Sequence, residues 1–272
     1  MKYFHWLVLL LFSAVPLFAQ LAVVTPHGAD APAASDKESS SSSSADRSAS
    51  QVPSSYAGDP RYTVSVSSLS APDKARKAFE KAEEEVRKGR WQAATTYFKK
   101  AVETYPKYAI AWLELGRVQA RQSSFAEAQN CFREAVAQDS KLLDGYVELA
   151  KVATRQQNWN DLADATDHLI QLAPGSSPEY WYMNSMAYYN LGRLEQAETS
   201  VTRGLDLDPR HQVPEMEYVY GLILGSKKDY KGAAEHMSEY LRLAPDSQDK
   251  DIAKNLLAGY IYREKLAAEE QQ

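Results

Sequence analysis

From residue 75 onward, apolar and polar positions recur at a spacing of about 34 residues. Ala94, Phe98, Ala101 and Pro106 in one segment are followed by Ala128, Phe132 and Ala135 in the next. A period of this size marks an array of stacked units, because one unit alone cannot bury its apolar face. Within a unit the pattern is helical. Trp112 and Leu115 share one face of a first helix, Gly116 lets a second helix approach, and Ala128 and Phe132 lie one turn apart on that second helix. Each unit is therefore predicted to be a helix hairpin. The first runs from Ala75 to Lys88, turns at Gly89, where a missing β-carbon permits positive φ, and returns from Trp91 to Glu103. Ser70 and Asp73 have capping-box spacing around Pro72 at its start. Equivalent turns fall at Ser123-Ser124, Gln157-Asn158, Gly192-Arg193 and Lys228-Asp229. A large residue follows each turn: Trp91, Phe125, Trp159, Leu194 and Tyr230. Their equal spacing assigns them to the packing between helices rather than to an aromatic ligand box.

The order Trp112, Leu115, Gly116, then Ala128, Phe132, Ala135 resembles the tetratricopeptide repeat, whose signature is W-x2-L-G-x2-Y, A-x3-F, A and a closing P. Five repeats fit, at 75–108, 109–142, 143–176, 178–211 and 214–247. The third carries Tyr146, Leu149, Ala150 and Pro174; the fourth Trp181, Tyr188, Ala197 and Pro209; the fifth Gly221, Ala233 and Pro245. Ser140 departs from the closing proline, Leu162 and Thr166 from the Ala and Phe of the second helix, and Gly204 from its later Ala. The resemblance implies an all-α fold: a right-handed α-solenoid of about five helix-turn-helix repeats, whose first helices line a concave binding surface. At 248–272, Ile252, Leu256 and Tyr260, with Ala253, Leu257 and Ile261 beside them, form an amphipathic helix expected to cap the fifth repeat. A dimerisation or membrane-surface role fits less well with Glu264, Glu269 and Glu270.

In repeat register the concave face reads as an acidic row of Glu114, Asp144, Glu148, Glu179 and Glu215. Beside it runs a basic row of Arg117, Arg121, Lys151 and Arg155. In repeats four and five the equivalent places hold Met183, Met186, Tyr189, Tyr218, Val219 and Leu222. The resemblance makes these the candidate contacts for a protein or peptide segment, since exposed Met and Tyr clusters mark contact surfaces. A solvated face is the alternative: Glu114 with Arg117 and Glu148 with Lys151 are i, i+3 pairs of a kind any exposed helix carries. The Lys and Asn clamp by which one subfamily captures peptide carboxylates is missing. Phe79, Glu83, Glu114, Asp144 and Glu148 stand there instead.

Ahead of the array, Lys2, the apolar run Leu7 to Ala19 and the following Gln20 have the order of a secretory signal peptide at 1–20. Leu21 to Val24 extend the apolar stretch, so an uncleaved anchor is the alternative; either way the expected location is exported, periplasmic or secreted, without membrane insertion after cleavage. Residues 21–70 are a Ser-rich tether, with Tyr62, Val64 and Val66 alternating as a short strand would. The lone Cys131 permits no intrachain disulfide and is read as a small buried hydrophobe. A formal charge of −5 disfavours nucleic acid as a partner. His168, His211 and His236 occupy different repeats without ligand spacing, and Gly221 and Gly225 begin no phosphate loop, so no metal, cofactor or catalytic set is expected. The resulting expectation is a non-enzymatic scaffold of the cell envelope or secreted space. A structural or oligomerising array, or an accessory subunit of an envelope enzyme or secretion complex, are the alternatives.

Overall fold

The computed structural model describes residues 70–270. The signal segment, nearly all of the tether and the alternation at Tyr62 to Val66 lie outside the described residues. Within them the chain forms eleven helices and no strand. Five hairpins pair α1 (Asp73–Arg87) with α2 (Trp91–Thr104), α3 (Ala109–Arg121) with α4 (Phe125–Gln138), α5 (Leu143–Gln156) with α6 (Trp159–Leu172), α7 (Pro178–Asn190) with α8 (Leu194–Leu207), and α9 (Glu215–Ser226) with α10 (Tyr230–Leu243). The last helix is α11 (Lys250–Glu269). Each helix packs on its partner and then on the first helix of the next hairpin, which makes an all-α solenoid.

The hairpin turns share one backbone solution. Gly89, Ser123, Gln157, Gly192 and Lys228 have φ of 69°, 62°, 54°, 71° and 67°. In each turn the next amide, from Arg90, Ser124, Asn158, Arg193 or Asp229, donates to a carbonyl five residues back at 2.9 Å. This is the Schellman closure, which satisfies a terminal carbonyl of the first helix and aims the chain back along it. At the start of α1 the cap position is Pro72, which makes no side-chain capping bond. Arg76 instead donates to the Ala71 carbonyl at 3.1 Å and pairs with Asp73.

Repeats one and two close around Phe79, whose ring centroid lies 5.4 Å from Phe98 and 5.2 Å from Tyr108. A β-carbon on Gly116 would stand 2.5 Å from the Phe132 ring, so the glycine is required by that approach. Gly204 stands in for the usual alanine for a similar reason, since a β-carbon there would meet Met216 Sδ at 2.5 Å. The large residues after the turns are all half-buried.

The turn residues are 34 apart from Gly89 through Gln157, then 35 to Gly192 and 36 to Lys228. The extra residues enter the links between hairpins, at 173–177 and 208–214. The longer link is fastened by Asp208, 1% exposed, whose carboxylate accepts the Gln212 N–H at 2.9 Å and the Val213 N–H at 2.8 Å.

Candidate functional site

The first helices also meet one another, α3 with α5 and α7 with α9, which sets them on the inner side of the solenoid. On this side Arg117 is enclosed by carboxylates. Its guanidinium donates to Glu114 at 2.7 Å, to Asp144 at 2.8 Å and to Glu148 at 3.3 Å, and Lys151 donates to Glu148 at 3.2 Å. Burial pushes the Glu114 carboxyl upward, with Arg117 pulling against it. Burial alone would lower the Arg117 pKa, but the surrounding carboxylates outweigh it and hold the guanidinium charged. Arg117 therefore fastens repeat two to repeat three. Arg121 lies 5.2 Å from the Trp91 ring and Arg155 lies 4.8 Å from the Phe125 ring, each spanning two hairpins by a cation–π contact. The basic row is thus largely engaged within the array; Arg117 is the most enclosed, with 26% of its side chain exposed against 61% for Lys151, while Arg121 and Arg155 are exposed beyond their ring contacts.

The apolar end of the face divides. Met183, Met186, Tyr189 and Leu222 are half-buried on α7 and α9 and rest against the main core cluster. Tyr218 and Val219, at 6% and 5% exposure, belong to the core itself, so they are corrected from candidate contacts to the support beneath the others. Their depth arises because α10 and α11 cover α9, and the Tyr218 and Tyr240 rings lie 5.1 Å apart. Tyr182, Tyr240 and Tyr260, not identified from the groove register, complete a tyrosine-rich floor. Burial raises the pKa of Tyr182, Tyr218, Tyr240 and Tyr260, with Tyr260 pushed up to about 12. These phenols remain neutral at physiological pH.

Two further polar groupings escaped the sequence pattern. Asn184, 2% exposed, stands at the repeat position of Leu115 and Leu149. It donates to Thr166 at 2.9 Å and Asp167 at 2.8 Å and accepts from Ser200 at 2.5 Å, while Tyr188 donates to Asp167 at 2.6 Å. Asp167, Asn184, Tyr188 and Ser200 border an open cleft of about 340 Å³ between α6 and α8, which Trp181 and Glu195 also line. The polar residue is tolerated because both ends of its amide are bonded. Second, the buried Glu217 carboxylate faces His236 Nδ1 at 2.6 Å and His211 Nδ1 at 3.4 Å. Folding thus brings together two histidines that the repeat register separated. Among the described residues no group of three metal-ligating side chains is placed to hold an ion.

Two tetratricopeptide-type family models cover the array. The Cilia and flagella-associated protein 70 middle TPR-like domain matches residues 77–207, and the Tetratricopeptide repeat model matches 182–248. The chain is a tetratricopeptide-repeat protein. Solved structures agree in fold. This tetratricopeptide array resembles YrrB, described as a TPR protein with an unusual peptide-binding site, at 20% identity and a TM-score of 0.60, over 66% of this chain and 92% of that one. A tetratricopeptide repeat protein from Parabacteroides merdae ATCC 43184 aligns at 17% identity and TM-score 0.57, over 73% of this chain and 76% of that one. MamA from Desulfovibrio magneticus RS-1 aligns at 18% and 0.54, over 65% and 99%. No curated protein matches the chain in sequence. Tetratricopeptide arrays are generally non-catalytic binding scaffolds. Among the described residues of this one, no helix is long and apolar enough to cross a membrane.

Proposed function

We propose that this protein is a non-enzymatic adaptor, exported from the cytoplasm, that holds a segment of another protein against the inner face of repeats four and five. The observation that carries this reading is the half-buried set Met183, Met186, Tyr189 and Leu222 on adjacent first helices, supported from below by a packed tyrosine floor. Adaptable Met and amphipathic Tyr side chains on a fixed scaffold suit a partner's apolar anchor residues. Lys151 and the outer edges of Arg121 and Arg155 act mainly on the rate of encounter, as rim charges do. YrrB, similar in fold, is described as having a peptide-binding site, which supports the same use of this scaffold.

A photo-crosslinking amino acid at Met186, expressed in the native host, tests the proposal. It should yield one defined protein adduct, while the same probe at Thr199, outside the groove, should not. With the partner identified, Met186→Ala with Tyr189→Ala should speed dissociation, and Arg121→Glu with Arg155→Glu should chiefly slow association, as read by surface plasmon resonance. Equal adducts at both probe sites, or unchanged kinetics in both double variants, would remove the groove from consideration. Export is tested separately: N-terminal sequencing of the native protein should begin near Gln20 or Leu21, and an intact Met1 in a soluble cytoplasmic fraction would overturn it.

A further inference from the structure

Along the inner face one repeat position stays acidic to the end of the array. Asp144, Glu179 and Glu215 each stand second in their repeats, and Asp249, 34 residues after Glu215, continues the row to the start of α11. Their counter-charges do not continue with them. The ninth place holds Arg117 in repeat two and Lys151 in repeat three, then Met186 in repeat four and Leu222 in repeat five. Arg117 reaches forward one repeat to Asp144 at 2.8 Å and so supplies a cation to this acidic position. Repeat four offers Glu215 a thioether in place of that guanidinium. Among the described residues Glu215 and Asp249 make no ion pair, although Lys250 follows Asp249 in the chain. Nor does the Asp249 side chain cap α11.

Both carboxylates are half-buried and stand beside the tyrosine floor. Burial is the main cause of the raised pKa of Tyr182, Tyr218 and Tyr240; the charge of Asp249 adds to it in all three, and that of Glu215 in Tyr182 and Tyr240. The Tyr182 and Tyr218 hydroxyls make no hydrogen bond to another described residue, although Tyr218 is only 6% exposed. Half-buried anionic oxygens beside unbonded phenols make a site short of one positive charge, and partial desolvation strengthens the attraction for a cation placed there. A Lys or Arg side chain suits it, because the aliphatic stem can lie along Met186 and Leu222 while the head reaches the oxygens. We infer, on the groove reading of repeats four and five, that the held segment carries a Lys or Arg residue whose charged head seats between Glu215 and Asp249, as Arg117 seats against Asp144. The partner thus combines apolar anchors for the Met and Tyr surface with a basic residue at the α11 end. Arg121 and Arg155, in repeats two and three, act on another stretch of the same segment.

Selection of peptides on the immobilised full chain, from a random library displayed on phage, tests this. Peptides taken by the wild type should carry Lys or Arg beside an apolar residue, and that basic position should disappear from peptides selected on Glu215→Gln with Asp249→Asn. With a synthetic copy of the leading peptide, the double variant should weaken binding about tenfold, and so should replacing the peptide's Arg by citrulline or its Lys by norleucine. The two changes together should cost little more than either alone, because both remove one pairing. The peptide substitution leaves the protein untouched, so it reads the pairing even where the variant's stability shifts. Peptides without a basic residue, or losses that add in full, would overturn the cation site alone, provided Met186→Ala with Tyr189→Ala still releases the peptide. Unchanged binding to that last variant, or no enriched peptide at all, would instead overturn the groove on which the site depends.

Discussion

The ring of Tyr260 occupies the space that a side chain at Gly225 would need. A β-carbon on that glycine would stand 2.5 Å from Tyr260 Cε1 and 2.6 Å from its hydroxyl oxygen. This contact seats α11 on the fifth hairpin and closes the apolar end of the array around Met237 and Tyr240. Tyr260→Ala should lower stability by about 2–4 kcal/mol, as removal of a buried aromatic ring does, measured by urea denaturation. Gly225→Ala should also destabilise, although alanine is the better helix former, because the ring must move. Removal of residues 249–272 should cause concentration-dependent association, visible by light scattering, through the exposed end of repeat five.

The turns offer a test of opposite sign. Ser123, Gln157 and Lys228 hold positive φ with a β-carbon present. Left-handed backbone costs such residues about 1 kcal/mol, part of which glycine recovers. Each change to glycine should raise the unfolding free energy by about 0.5–1 kcal/mol, read as a higher urea midpoint with unchanged slope.

Arg117 and Arg121 share a helix and a charge but differ in their surroundings. Arg117→Ala leaves Glu114, Asp144 and Glu148 together without their common cation, and should cost about 2–3 kcal/mol. Arg121→Ala forfeits one partly exposed cation–π contact and should cost about 0.5–1 kcal/mol. Comparable thermal denaturation losses in the two variants would contradict this ranking.

Cys131 donates its thiol to Gln119 Oε1 at 3.0 Å, and burial pushes its pKa up to about 11. At pH 8 the native thiolate is scarce. Alkylation by iodoacetamide should be roughly a hundredfold slower in the folded protein than in urea, with protection lost along the unfolding transition.

Much of the fold is legible in the sequence because one periodicity governs both turns and core. Gly89, Ser123-Ser124 and Gln157-Asn158 fall where the 34-residue spacing puts them, and Phe132 against Gly116 follows from the motif itself. The candidate site was less accessible. The groove register identifies which positions lie on the first helices, but not how deeply later helices cover them, and Tyr218 and Val219 are submerged by α10 and α11. Nor does it disclose partners one repeat away. Arg117 reaches Asp144 and Glu148 of the following repeat, and Glu217 gathers His211 and His236 from either side of α9. Asn184 was the available signal: a polar residue at the place of Leu115 and Leu149 has to find bonds, and Thr166 and Ser200 supply them.

The longer links at 173–177 and 208–214 bear on how such a chain tolerates insertions. One residue added inside a hairpin turn would rotate the second helix by about 100° and carry its apolar stripe off the first. The same residue added between hairpins only lengthens a surface connector, at little entropic cost, and Asp208 shows how even a seven-residue connector is anchored. Drift in length between relatives of this chain should therefore accumulate at the joints between hairpins, with the distance from each left-handed turn to its own two helices left unchanged.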